Sequence, residues 1–325
     1  MSFKNRIFGC AVVRAINANY NADFSHQPRT LPDGTVYATD KAFKYLIKNY
    51  LKDLYPEEKI FYFKTQKEDF NPRSLEETYD HHFPNTEKKS KAEFAQNLLS
   101  CLDIRSFGAT FAMKAKNGDN VAISIHGPTQ INHGINIWPE NNIFSEQIMS
   151  PFANPKEKKS EDDKDTSATT LGRQSKLQEG HYAHHFSINP KNLDEIVELA
   201  GQGAKNLSED DIQKLKTAFR LGATYFDSAS KAGIDNEFLL WIQLKPESKK
   251  VLPVLSNLIH MSKENSKVVL DLTTVKAIIE DNQVDIQSTE IHFLKDSVTL
   301  KEPPASAKQF DIISGKEILE KSRKI

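Results

Sequence analysis

Residues 6–16, "RIFGCAVVRAI", are apolar on both faces and β-branched, which predicts a buried strand. An asparagine-rich loop, "NANYNADF", and turn chemistry in "PRTLPDG" follow. Residues 39–54 then take a helical period. Thr39 can cap it, Pro56 lies just past its end, and Phe43, Ile47, Tyr50 and Leu54 share one face at 100° per residue. Lys41, Lys44, Lys48 and Lys52 form a stripe on the opposite face, read as free of interspersed acids. "KIFYFKT", 59–65, reads as a strand. Residues 70–100 are polar and end in the helix "AEFAQNLLSCL". "IRSFGATFAMKA", "NGD" and "NVAISIHGP" predict a hairpin.

The stretch "IHGPTQINHGINIW", 125–138, looks like strand at its ends but not in its middle. There Gly127, Pro128, Gln130, Asn132, His133 and Gly134 interrupt it, with no carboxylate. Downstream, "PKEKKSEDDKDTSATT", 155–170, has nine charged residues and no aromatic, and predicts a mobile, solvated excursion. "GHYAHHFSINP" reads as strand, "LSEDDIQKLKTAF" as a helix with Ser208 and Asp211 at capping-box spacing, and "EFLLWIQL" as strand. After these come a helix ("VLPVLSNLIHM"), a strand ("KVVLDL") and a polar helix in the tail "KEILEKSRKI". The order predicts an α+β fold. Its core is a βαββαβ, ferredoxin-like or modified RRM-like, with two large insertions and a sheet face open to RNA.

Length and composition add bounds. A chain of 325 residues, 38% apolar and 27% charged, fits one elaborated domain or two ordinary ones of a globular protein. No apolar run approaches the ~18 residues of a membrane helix, and no small-residue cleavage site follows "MSFKNRIFGCAVV". A cytoplasmic protein without a membrane partner is expected. Cys10 and Cys101 read as reduced core residues. The net charge is -1, yet residues 41–67 hold seven lysines against Asp53, Glu57 and Glu58, so positive charge gathers toward the N-terminal part.

No P-loop, dinucleotide fingerprint, nucleophile elbow or zincin motif is present. His81 with His82, and His181, His184 and His185, are spaced poorly for one metal if their segments are as read, so no metal site is expected. What remains is binding chemistry. Asn17, Asn19, Asn21, Gln130, Asn132 and His133 can donate to phosphate and 2′-hydroxyl oxygens. Gly127 and Gly134 would admit backbone amides to a ligand. Arg29, Arg105 and Arg173 offer guanidinium groups that match phosphate.

Four blocks in order, "NANYNADFSHQPRTLPDGTVYATDKAFKYLIKNYL", "LDIRSFGATFA", "GPTQINHG" and "LGRQSKLQEGHYAHHFSINPKNL", resemble the backbone subunit of CRISPR Cascade surveillance complexes. The resemblance is to the subtype I-B version, in the RAMP superfamily, and covers roughly residues 5–245. It implies a right-hand shape. Residues 1–65, 102–144 and 188–325 would be an RRM-like palm, 66–101 helical fingers, and 145–187 a β-hairpin thumb with a disordered tip at about 155–170. Copies would polymerise along a guide RNA (the crRNA) and present it to a target DNA strand, beside other Cascade subunits. Carried over by position, Thr39, Lys41, Lys44, Lys48, Gln130, Asn132 and His133 would grip the guide, with Asn19, Arg29, Arg105 and Arg173 as further contacts. No catalytic residue and no cofactor are implied. Two rival readings are a metal-dependent RNA-cleaving relative of type III kind, using Asp23 or Asp103, and a protein-binding adaptor without RNA.

Overall fold

The computed structural model describes residues 2–84, 90–114, 120–149, 171–264 and 267–319. The predicted disordered tip at 155–170 lies outside the described residues. Strand β1 (Ile7–Ala18) is central to a nine-stranded sheet. Both its neighbours, β8 (Leu171–Ile188) and β9 (Ile234–Leu244), run antiparallel to it. Beyond β8 lie the short strands β5 (Thr129–Ile131), β6 (Gly134–Asn136) and β2 (Tyr37–Ala38). Beyond β9 lie β12 (Ile286–Phe293) and β14 (Lys308–Asp311).

Helix α1 (Asp40–Leu54) follows β1 and precedes β5 and β6. Helix α6 (Glu209–Tyr225) joins β8 to β9. Since β8 pairs with β6 on one side and β1 on the other, each helix joins strands separated by one intervening strand. Both helices start where side-chain caps hold their first amides. Thr39 accepts from the Ala42 amide, and Ser208 and Asp211 form a reciprocal capping box.

β1 is apolar on both faces because both faces are covered. Ile7, Ala11, Val13 and Ala15 pack into one core with Phe43, Leu46 and Ile47 of α1 and Leu215, Ala218 and Phe219 of α6. Phe8, Cys10 and Val12 point the other way, into a second core with Leu255, Leu270, Leu272, Val275 and Ile279. That second layer is built on β11 (Lys267–Asp271), flanked by β10 (His260–Glu264) and β13 (Val298–Lys301), and on α7 (Thr273–Asp281). The expected open sheet face is therefore covered over β1 and β9, and any nucleic acid must be met at edges and loops. Full burial of a side chain such as Phe43 or Leu270 is worth about 1.5–3 kcal/mol.

Between α1 and β5 the chain makes a satellite. Helices α2 (Leu75–His82), α3 (Lys91–Leu99) and α4 (Leu102–Phe107) precede a separate antiparallel hairpin of β3 (Gly108–Lys114) and β4 (Asn120–His126). Helix α5 (Asp194–Ala200) docks on α3, where Gln96 donates to the Ala200 carbonyl. A second hairpin pairs β7 (Ile143–Met149) with the start of β8, from Ile143 opposite Leu177 to Met149 opposite Leu171.

The expected strands, helices and hairpin at 6–16, 39–54, 104–128, 180–190, 207–219 and 237–244 are present in outline, and five readings are corrected. "KIFYFKT" is not a strand, because the amides of Phe61 and Tyr62 donate to the Asp103 carboxylate rather than to a neighbouring chain. "IRSF", expected as the start of a strand, is the end of α4. "VLPVLSNLIHM" forms only a 3₁₀ turn at Leu255–Leu258 before β10. Leu54 is exposed; Leu46 and Leu51 complete the buried face of α1 instead. Of the tail, residues 316–319 are described and are not helical. Cys10 and Cys101 are free and buried. No helix among the described residues is long and apolar enough to cross a membrane.

Candidate nucleic-acid interface

The interruption in 125–138 is a local exchange of backbone for side chain. β5 pairs with β8 at Thr129–Ile131 and β6 at Ile135 and Asn136, so the strand leaves the ladder only between them. There Asn132 keeps both edges of the break. Its amide donates to the His185 carbonyl at 3.0 Å, and its Oδ1 accepts from the His185 amide at 2.7 Å. The chain can therefore turn Asn132 and His133 outward without orphaning a buried backbone group.

The two glycines serve packing rather than a ligand. A Cβ on Gly134 would lie 2.3 Å from the His184 ring, and one on Gly127 would lie 2.0 Å from the Phe107 carbonyl carbon. His184, wholly buried, stacks on Phe43 at 4.9 Å, meets the Tyr20 hydroxyl at 3.1 Å and the Asn132 carbonyl at 3.0 Å. Burial holds its pKa down to about 4, so it is neutral and orders the loop by hydrogen bonding.

The loop after β1 folds back as a small hairpin over residues 21–29. The Asp23 amide donates to the Gln27 carbonyl and that of Arg29 to the Asn21 carbonyl. It is tied to two places. Asn21 Oδ1 accepts from the Thr39 amide at 2.9 Å and from the Thr39 hydroxyl at 3.0 Å, binding the hairpin to the start of α1. Asn19 donates to the Ser175 carbonyl and Gln27 to the Ser175 hydroxyl, binding it to the β7–β8 hairpin. Arg173 is exposed two residues before Ser175, on the same face of β8. His133 sits against the start of α1, its Nδ1 3.3 Å from the Asp40 amide, its ring 5.5 Å from that of Tyr37.

The structure thus puts Thr39, Lys41, Asn132 and His133 at or near the start of α1, and bonds the hairpin that bears Arg29 to Thr39 and to Ser175, two residues from Arg173. It treats the other expected residues differently. Gln130 is exposed, but its amide is already donated to the Gly127 carbonyl. Asn19 is buried, with its amide donating to Ser175 and His26 carbonyls. The lysine stripe is not acid-free, since Asp40, one turn before Lys44, pairs with it at 3.1 Å. Lys48 turns inward to the Tyr62 carbonyl at 2.8 Å, and burial lowers its pKa. Lys52 pairs with Asp53.

Arg105 is a correction in full. It is 3% exposed, with Nε and Nη2 on the Asp211 carboxylate at 3.0 and 2.7 Å, Nη2 also on Glu58 at 2.9 Å, and Nη1 on the Ser100 carbonyl. Every arm of the guanidinium is used inside the protein, so none is left for a phosphate.

The two acids considered for RNA cleavage are likewise structural. Asp103 is buried with both oxygens on backbone amides, and burial raises its pKa against the pull of those bonds and of Lys48. Asp23 Oδ1 accepts from the Ser25 and Gln27 amides. Among the histidines, His181 is buried 2.5 Å from Glu237, also buried, and His185 Nδ1 accepts from the Leu255 amide.

Two functional features were missed from the sequence. Asp40 carries a signal in the sequence, an acid in the first turn of a helix, that the lysine stripe masks. Asn21 was read as a ligand donor when its oxygen is a structural acceptor. Among the described residues, Arg29, Lys41 and Arg173 carry no ion pair, and Arg29 Nε is screened from solvent with no hydrogen-bond partner.

The family model described as CRISPR-associated protein Cas7 matches residues 5–287. The fold is similar to that of a chain from a "CRISPR RNA-guided surveillance complex, pre-nicking", with a TM-score of 0.54 and 11% identity, over 94% of this chain and 96% of that one. No curated protein matches the sequence.

Proposed function

Because the chain belongs to the CRISPR-associated protein Cas7 family, we propose that it is an RNA-binding backbone subunit that polymerises along a guide RNA. In this reading the main sheet with α1 and α6 is an RRM-like palm, residues 66–101 are fingers, and the β7–β8 hairpin within 145–187 is a thumb. Copies of the chain and other Cascade subunits, of subtype I-B, would share one crRNA and offer its bases to a target DNA strand. The subunit itself would hold and space the guide without cutting it, since Asp23 and Asp103 are committed to backbone amides.

One observation carries the site. Arg29, Lys41 and Arg173 are cations without an acid partner among the described residues, and Asn21, Thr39 and Ser175 tie the segments that bear them into one surface. Asn132 and His133 add uncharged donors that approach a polyanion without repulsion. The test is a salt titration of binding to unstructured single-stranded RNA. The triple variant Arg29→Ala, Lys41→Ala, Arg173→Ala should bind every sequence more weakly. Its slope of log affinity against log salt should fall by about 2, at roughly 0.7 per phosphate contact. An unchanged slope and affinity would refute the placement.

A further inference from the structure

Two turns of this chain share a spelling. Asp23-Phe24 leads on to Pro28-Arg29, and Asp69-Phe70 to Pro72-Arg73. In both, a short bridge closes the turn (Ala22 with Pro28, Gln66 with Pro72), the aspartate side chain caps amides just ahead of it, and the phenylalanine stands at the tip. Phe24 is 99% exposed and Phe70 81%. Neither ring is among the aromatic pairs of the described residues, and both are held out on turns whose backbones are fixed by hydrogen bonds.

Their settings differ in charge. Phe70 has Lys67, Glu68 and Asp69 beside it and Arg73 downstream, but those cations are already engaged, Lys67 by Glu77 and Arg73 by the Gln66 carbonyl. Phe24 has His26 and Arg29 downstream, while the charge of its one acid, Asp23, is drawn inward onto the Ser25 and Gln27 amides. The Phe24 hairpin is also the element that joins the start of α1 to the β7–β8 hairpin, through Thr39 and Ser175. A rigid, water-exposed ring on the same hairpin as an unpaired guanidinium suits a flat, anionic polymer. The ring of Phe70, whose neighbouring cations already have partners, does not.

We propose that Phe24 is a base-stacking residue: its ring takes the face of an unpaired nucleobase of single-stranded RNA while Arg29 takes a phosphate of the same strand. The pairing follows from the chemistry of each group. Every base has a π-face, so stacking is tolerant of sequence. The Arg29 guanidinium has no acid partner among the described residues, which leaves it open to a phosphate oxygen. Because the turn is fixed before binding, little conformational freedom is lost when a base lands on it. Phe24 would then select for unpaired nucleotides over duplex, whose bases are already stacked.

The inference rests on the RNA-binding reading and is tested apart from it. Binding of a labelled oligouridine would be measured for the full chain and for Phe24→Ala, Phe24→Leu and Phe24→Tyr. Alanine and leucine should weaken binding by roughly 5- to 150-fold, the range for loss of one stacked base, with the salt slope unchanged because no charge is lost. Tyrosine should bind within about twofold of the wild type, since it keeps the stacking face. An alanine variant that binds as the wild type does would overturn the proposal and leave the cation surface standing. So would full affinity in the leucine variant, since an aliphatic side chain cannot stack. A Phe24→Ala variant with unchanged affinity but a smaller sedimentation coefficient for the RNA-free protein would identify the ring as a protein-docking knob. If the wild-type chain itself fails to bind, while the triple cation variant is equally inert, the RNA-binding reading falls and this one with it.

Discussion

Arg105 and Arg29 are the same residue type in two regions that treat it oppositely. Arg105 lies at the end of α4, buried, and its guanidinium joins Asp211 of α6 to Glu58 after α1. It welds the satellite of helices onto the main sheet. Arg29 lies on the edge of a surface hairpin, where its backbone is bonded to Asn21 and Tyr37 and its side chain has no acid beside it among the described residues. The lesson is that a cation's role depends on where the carboxylates are. Around the buried Arg105 the fold brings Glu58 and Asp211, and at its rim Glu57 and Asp210 join Glu58 on Lys214. The loop cluster at the start of α1 brings Asp40, which Lys44 already answers, and Asp23, which is bonded to the Ser25 and Gln27 amides.

The sharpest way to break that comparison is to remove Arg105. Arg105→Ala leaves the buried Asp211 without its cation, and leaves Glu58 to Lys214 alone. It should lower unfolding stability by about 3–5 kcal/mol, read as a fall in the urea midpoint. The folded protein should keep its RNA affinity and salt slope. If Arg105→Ala instead folds as well as the wild type and loses one unit's worth of salt slope, Arg105 belongs with the binding cations and the division proposed here is wrong.

The pattern of the chain exposed some of this and hid the rest for a physical reason. Alternating and helical periods are local, so the parts of β1, α1, α6, β8 and β9 within residues 6–16, 39–54, 207–219, 180–190 and 237–244 could be read. "KIFYFKT" carries a strand-like period too, but its backbone is satisfied by Asp103, some forty positions on, and no local pattern encodes that. The second apolar layer, which covers the sheet face expected to be open, comes from residues beyond 250, where the short elements have weak periods. The site fared likewise. Its residue types were legible, because asparagine, histidine and arginine near glycine and proline announce themselves. Which cations were free was not, because Asp211 lies 106 positions from Arg105 and sequence spacing says nothing about that meeting.

A smaller effect tests how the loop cluster is held. His184 is buried neutral under the Asn132 carbonyl, with its pKa near 4 in the folded chain against about 6.5 when unfolded. A depressed histidine favours folding fully above the unfolded value. As pH falls from about 6.5 to 4 the unfolded chain takes up the proton and the folded chain does not, so stability is lost across that window, by on the order of 3 kcal/mol for this residue. The pH dependence of unfolding should flatten over that window in His184→Gln, relative to the wild type. His82, His185 and His292 are also held down by burial and add slope to both proteins, so the difference between the two is the measured quantity. Identical slopes would mean that His184 is not shielded as described.

The smallest effect concerns Lys44, which stands between the two classes. It is mostly buried, pairs with Asp40 one turn away, and its ammonium lies 5.8 Å from the Phe107 ring. As an i,i+4 pair it should contribute only about 0.3–0.5 kcal/mol to stability, so Lys44→Ala should barely move the unfolding midpoint. Its effect on RNA has two possible origins that a single variant cannot separate. If Lys44 touches phosphate, its loss removes an attraction. If it only neutralises Asp40, its loss exposes a carboxylate at the start of α1, beside His133 and the unpaired Lys41. The geometry favours the second, because the ammonium already faces Asp40 and Phe107 rather than solvent. Lys44→Ala should therefore weaken RNA binding, and adding Asp40→Asn should restore it to the wild-type value, with the salt slope back in place. The cap is Thr39, whose hydroxyl accepts from the Ala42 amide, so Asp40→Asn removes the charge and leaves the cap in place. If the double variant stays as weak as the single one, Lys44 is a phosphate ligand, and the free cations number one more than the ion pairs indicate.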